Sequence, residues 1–283
     1  MMRLHFKWLY GAITLLSLLA PAQAARIPTE LVLAEDISAC DSYARKALSQ
    51  YQVALAAHCT ISGLRWNDDW ERQAAWCGTV RPAITQQETK ARAETLLACF
   101  KTQIPLQDKD LTATPRQLYQ ALEKALAQDN LRRAQQLIAA GAHTGFKDYE
   151  WTNTDYNLLS MAIMAGADKL TRFLITLNID PNVSKNGGIA PLYELVQRKP
   201  LNYDLLEFLL KHGADPNYGG EIGVNGQPLF KTTEDVKATQ LLLQYGADPA
   251  FVCGKYDYSY QPSAAVLAEV RRAAAKRGQT CDW

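Results

Sequence analysis

Through the second half of the chain, apolar and polar positions alternate with a helical period, in short blocks that repeat. Leu137-Ile-Ala-Ala-Gly-Ala-His143 aligns with Leu174-Ile-Thr-Leu-Asn-Ile-Asp180, Leu209-Leu-Lys-His-Gly-Ala-Asp215 and Leu242-Leu-Gln-Tyr-Gly-Ala-Asp248. The blocks end at 143, 180, 215 and 248, spacings of 37, 35 and 33 residues. A second short helical segment precedes each block: Tyr119–Gln128, Leu158–Ala165, Leu192–Gln197 and Leu229–Thr233. Such a period predicts stacked helix pairs, because one pair cannot bury its apolar stripe alone. Ser263–Lys276 reads as a closing helix. Upstream, apolar or small residues at Cys40, Ala44, Ala47, Tyr51, Ala54 and Leu55 predict one helix over Ala34–Cys59. Another spans Pro82–Phe100, with Thr85 and Glu88 as a capping box.

Ala190-Pro-Leu-Tyr-Glu-Leu-Val196 and Gln227-Pro-Leu-Phe-Lys-Thr-Thr233 open two repeats, and Asp180-Pro-Asn182 and Gly213-Ala-Asp-Pro-Asn217 close two. On these residues, about 114–278 resembles the ankyrin repeat family. The resemblance implies an all-α solenoid of about four ankyrin repeats plus a C-terminal capping helix; the helices and cysteines upstream of it read as a separate disulfide-linked helical module. Gly141, Gly213 and Gly246 suit a left-handed helix cap, and Asn178 stands in for the glycine of the second repeat. Pro115 lies too early for the family register and predicts an elongated first helix, whereas the fourth repeat's first helix is about two residues short. In the family, the loops between repeats form fingers beside a concave face, a surface that binds protein. The aromatic residues Tyr149, Trp151, Tyr156, Tyr218, Tyr256, Tyr258 and Tyr260 are the candidate partner contacts, and Phe146 and Phe251 are read as packing residues.

Residues 1–24 read as an export signal: Arg3 and Lys7, an apolar run Trp8–Leu19, then Ala22-Gln23-Ala24 before the expected cleavage. The run is too short to span a bilayer. Export to the periplasm gives the six cysteines a disulfide reading. Cys40, Cys59, Cys77 and Cys99 form one group, and Cys253 and Cys281 another about 150 residues on, which implies two independent units. The expected organisation is a signal peptide at 1–24, a four-cysteine module at 26–105, a linker at 106–113 and the repeats with their cap at 114–283. If the two upstream helices pack antiparallel, the pairs are Cys40–Cys99 and Cys59–Cys77, leaving Cys253–Cys281. No C-x(2–4)-C pair points to zinc. The run Cys40-Asp-Ser-Tyr-Ala44, Gly63-Leu-Arg-Trp66 and Trp76-Cys77 resembles a small four-cysteine module of exported bacterial proteins.

A net charge of +1, with 30 basic and 29 acidic residues, argues against nucleic acid or an anionic membrane as partner. Cleavage after Ala24 would remove two basic residues and no acidic one. No G-x-S-x-G, H-E-x-x-H, phosphate loop or dinucleotide fingerprint is present, and His58, His143 and His212 read as ordinary helix-end or turn residues. The expectation is therefore a non-enzymatic periplasmic protein without cofactor or metal, binding one protein partner and not inserted in a membrane after cleavage. An immunity protein that blocks a periplasm-delivered toxic effector is one version; a scaffold or stress-protection factor for a periplasmic enzyme is another. The rival is cell-wall or small-ligand binding through Trp66, Trp70 and Trp76.

Overall fold

A computed structural model describes residues 39–142, 158–183, 189–219, 227–253 and 262–281. Among these residues the regular structure is helical, without strands. Three helices come first: α1 (Ala39–Ala56), α2 (Trp70–Gly78) and α3 (Pro82–Gln103). Helix α2 starts where the Asp69 carboxylate accepts from the Arg72 N–H at 2.9 Å, a cap inside what the sequence pattern treats as a connection. Its presence reverses the expected geometry. α2 runs antiparallel to α1, bringing Cys77 to Cys40, and α3 then returns parallel to α1, bringing Cys99 to Cys59. The bonds are therefore Cys40–Cys77 and Cys59–Cys99, with Cα separations of 5.3 and 5.7 Å. The expected Cys40–Cys99 and Cys59–Cys77 pairs assumed two helices where there are three. Cys253–Cys281 forms as expected, at 4.5 Å between Cα atoms.

The expected Thr85–Glu88 box does not form. Pro82 occupies the first helical position of α3, which places Thr85 inside the helix, where its hydroxyl donates to the Pro82 carbonyl at 2.7 Å. Glu88 pairs instead with Arg65. A capping box does form at Thr114 and Gln117, ahead of the repeats.

After the short α4 (Asp108–Leu111), helix pairs follow: α5 (Pro115–Ala127) with α6 (Leu131–Ala139), α7 (Leu158–Met164) with α8 (Asp168–Thr176), and α9 (Pro191–Val196) with α10 (Tyr203–Lys211). In the fourth pair a 3-10 turn, Pro228–Lys231, replaces the first helix and α11 (Val236–Gln244) is the second. The elongated α5 and the truncated fourth unit match the departures in the sequence. Helices α12 (Ala250–Cys253) and α13 (Ala264–Lys276) close the array. Leu122, Leu137, Leu159, Leu174, Leu192, Leu209 and Leu242 are buried in one continuous core that also takes in Leu96 and Phe100 of α3.

One turn closes the second helix of every repeat. Gly141, Asn178, Gly213 and Gly246 adopt positive φ of 109°, 64°, 93° and 96°. The next residue's N–H then reaches back to the carbonyl of Leu137, Leu174, Leu209 or Leu242 at 2.8–3.3 Å. A side-chain ladder ties successive turns together. Asn182 donates to the Gly213 carbonyl (2.8 Å) and accepts from the Asp215 N–H (2.7 Å). Asn217 does the same with Gly246 (3.0 Å) and Asp248 (2.7 Å). Gln279, from beyond α13, takes the last rung by donating to Asp248 at 3.0 Å.

Candidate functional site

The described residues all lie in one compact unit, so the two cysteine groups are not independent. The N-terminal helices pack on the second helices of the first three repeats, α3 against α6 and α1 against α8 and α10. α4 is docked too, by the bidentate Asp110–Arg133 pair at 2.5 and 2.7 Å.

Polar contacts specify the seating of α1. Gln50, fully buried, donates to the carbonyls of Thr89 in α3 and Thr176 in α8, at 3.2 and 3.1 Å. Its own oxygen accepts from Arg92 Nε at 2.9 Å, and Arg92 also donates to the Ala47 carbonyl at 2.6 Å. Arg92 is only 1% exposed and stacks on Trp66 at 4.1 Å, and burial lowers its pKa from the usual arginine value. Lys46 donates to Asn178 Oδ1 at 3.3 Å, a contact that glycine at this turn could not make. Ser49 meets His212 Nε2 at 2.9 Å. Gly213 lies so close to α1 that an added Cβ would fall 2.9 Å from Ser42 Oγ. His212 is therefore a buried contact between α10 and α1, not the ordinary turn residue expected.

On the first helices α7 and α9 most side chains are buried, and the accessible ones are few. Met164 is 45% exposed, and the Tyr119 hydroxyl lies 3.6 Å from the Met161 sulfur. Glu123 and Glu194, on α5 and α9, make no ion pair among the described residues, and partial burial raises the pKa of each. Lys231 sits 5.4 Å from the ring centre of Tyr193. The surface can offer apolar contact and carboxylates to a cationic group.

Of the candidate partner contacts, Tyr149, Trp151, Tyr156, Tyr256, Tyr258 and Tyr260 lie outside the described residues, as does Phe146. Tyr218 is half-buried, and its N–H donates to the Asp215 carbonyl at 3.2 Å. Beside it the Gly219 carbonyl accepts from the Ala190 N–H at 3.1 Å, joining the bases of two neighbouring fingers. Phe251 packs partly buried on the core. Trp66, in the connection from α1 to α2, and Trp70 and Trp76 of α2 each have an arginine over the ring: Arg92 on Trp66, Arg65 on Trp76 and Arg45 on Trp70. Gln50, Arg92, Lys46 and Ser49 carry no sequence motif; the asparagine at 178 was the one visible trace of the contact they build.

Among the described residues no three His, Cys, Asp or Glu side chains are grouped to hold a metal ion, and no helix is long and apolar enough to cross a membrane. The disulfides indicate an oxidising, extracellular or periplasmic setting.

No family model matches the chain. It is 31% identical over 127 residues to a putative ankyrin repeat-containing protein of Treponema pallidum (strain Nichols), 45% of this chain and 39% of that protein. It is 30% identical over 108 residues to a putative ankyrin repeat protein of Rickettsia felis, 36% of this chain and 28% of that protein. The matched stretch thus spans well under half the length of either relative. The helix pairs, each closed by one left-handed turn and tied by an asparagine ladder, form a repeat array that is similar in sequence to these ankyrin repeat proteins.

Proposed function

We propose that the protein is a non-enzymatic binding protein, exported to the periplasm through a cleaved signal at 1–24, which docks one protein partner on the first-helix face and the fingers. The observation that carries this reading is that its own N-terminal helices pack on the second helices of the first three repeats, so a partner would dock on the other side, at the first helices and the fingers. Relatives named for ankyrin repeats support protein binding as the role. Three disulfides favour a rigid, preorganised surface, which reduces the entropy lost on association. A rigid single-purpose surface suits an immunity protein that blocks a toxic effector.

Cross-linking in intact cells followed by mass spectrometry tests this, comparing wild type with a Trp151→Ala, Tyr256→Ala variant. One protein recovered by wild type and lost with the variant supports the reading, and inhibition of that protein's activity supports the immunity version. Recovery of the same proteins by both, or of none, overturns it.

A further inference from the structure

The loop joining α1 to α2, with the helices beneath it, borders a half-open surface cleft of about 540 Å³, comparable in volume to small-molecule sites. Leu64, Trp66 and Trp76 form apolar walls, and Ser62, Arg65 and Arg72 contribute polar lining. Leu64 is 80% exposed and forms the outer edge of this cleft.

The loop is anchored from below. The Arg65 carbonyl accepts from Gln73 Nε2 at 2.6 Å and from Arg92 Nη1 at 2.5 Å, both donors coming from buried residues. Asn67 donates to the Leu64 carbonyl at 2.7 Å and accepts from the Asp69 N–H at 3.0 Å. Cys59–Cys99 pins one end of the loop, and Cys40–Cys77 ties α2, at the other end, to α1. Burying the Arg92 guanidinium without an ion pair is unfavourable. Here that cost is offset by hydrogen bonds that fix the wall of a cleft, as a preorganised site requires.

Charge selects the occupant. Arg65 is paired with Glu88 at 3.1 Å and lies over the Trp76 ring at 4.7 Å. Arg72 makes no ion pair among the described residues, so the lining keeps one uncompensated positive charge beside apolar walls. We propose that this cleft binds an apolar carboxylate, with Arg72 taking the carboxylate and Leu64, Trp66 and Trp76 the apolar group. The site is separate from the array's partner surface and does not depend on that reading.

The test is an amide NMR titration of the full chain with N-acetyl-L-leucine and its uncharged counterpart N-acetyl-L-leucinamide. The expected result is shifts confined to the Ser62–Asn67 amides and the Trp66 and Trp76 indole N–H groups, with the amide binding roughly tenfold more weakly than the acid. R72Q should bring the acid down to the level of the amide without moving signals elsewhere, and L64A should weaken both ligands. An acetylated tripeptide ending in leucine separates two sources of such a group: tighter binding than N-acetyl-leucine assigns the site to peptide ends, equal binding to the small acid. No shift at about 10 mM ligand, equal binding of acid and amide, or wild-type affinity in R72Q overturns the proposal.

Discussion

His212 should make the protein acid-sensitive through a single buried imidazole. It is 6% exposed, and its Nδ1 lies 2.7 Å from the Phe208 carbonyl, which can only accept, so Nδ1 carries the proton. Nε2 then accepts from the Ser49 hydroxyl at 2.9 Å. Burial pushes the pKa down from 6.5 to about 4, reinforced by Lys46 and Arg45 of α1 and Arg172 of α8 and opposed by the Phe208 carbonyl. Below about pH 6.5 the unfolded chain therefore takes up a proton that the folded protein refuses until about pH 4. Stability from this group is complete above that window and declines as the pH falls through it. Integrated over the two titrations, the loss between about pH 7 and pH 5 is about 2 kcal/mol. Urea unfolding of wild type and His212→Gln at both pH values measures it, since glutamine keeps an acceptor for Ser49 but does not titrate. Wild type should lose about 2 kcal/mol more than the variant. Equal losses, to within about 0.5 kcal/mol, would refute a neutral buried histidine at this contact.

Asn217→Ala removes both hydrogen bonds of a ladder rung and should cost about 2 kcal/mol in urea unfolding, with faster hydrogen exchange confined to α11 and the cap. At the second turn, Asn178→Ala should cost about 1–2 kcal/mol for its positive φ and the lost Lys46 contact, whereas Asn178→Gly should stay within about 1 kcal/mol of wild type. Cys40→Ser with Cys77→Ser opens a loop of separation 37 and should cost about 4 kcal/mol by loop-closure entropy. Non-reducing peptide mapping of wild type should recover Cys40–Cys77 and Cys59–Cys99; recovery of Cys40–Cys99 would contradict the three-helix arrangement.

Much of the array was legible in the residues because its determinants are local. A block such as Leu209-Leu-Lys-His-Gly-Ala-Asp215 holds the apolar stripe, the left-handed cap and the turn within seven positions, and the recurrence of it or a variant at spacings of 37, 35 and 33 residues reports the stacking. The Asn after Asp-Pro at 182 and 217 shows in the sequence, though not that it bridges to the next turn. α2 was not legible: it is nine residues long, and its Asp69 cap lies among other polar residues that resemble a loop. Missing it changed the direction of α3 and with it both disulfides of the first group.

The sequence alone determined the helix-pair repeat, its atypical first and last units, and the set of cysteines available for cross-linking, because these depend on residue type at fixed local spacing. Only the tertiary structure decided which cysteines bond, since pairing depends on how many helices intervene and in which direction each runs. Tertiary packing also decided that α1 covers α8 and α10 and that Arg92, Gln50 and His212 are buried there. Those contacts join residues up to 163 positions apart, such as Ser49 and His212, a separation at which no local pattern carries information.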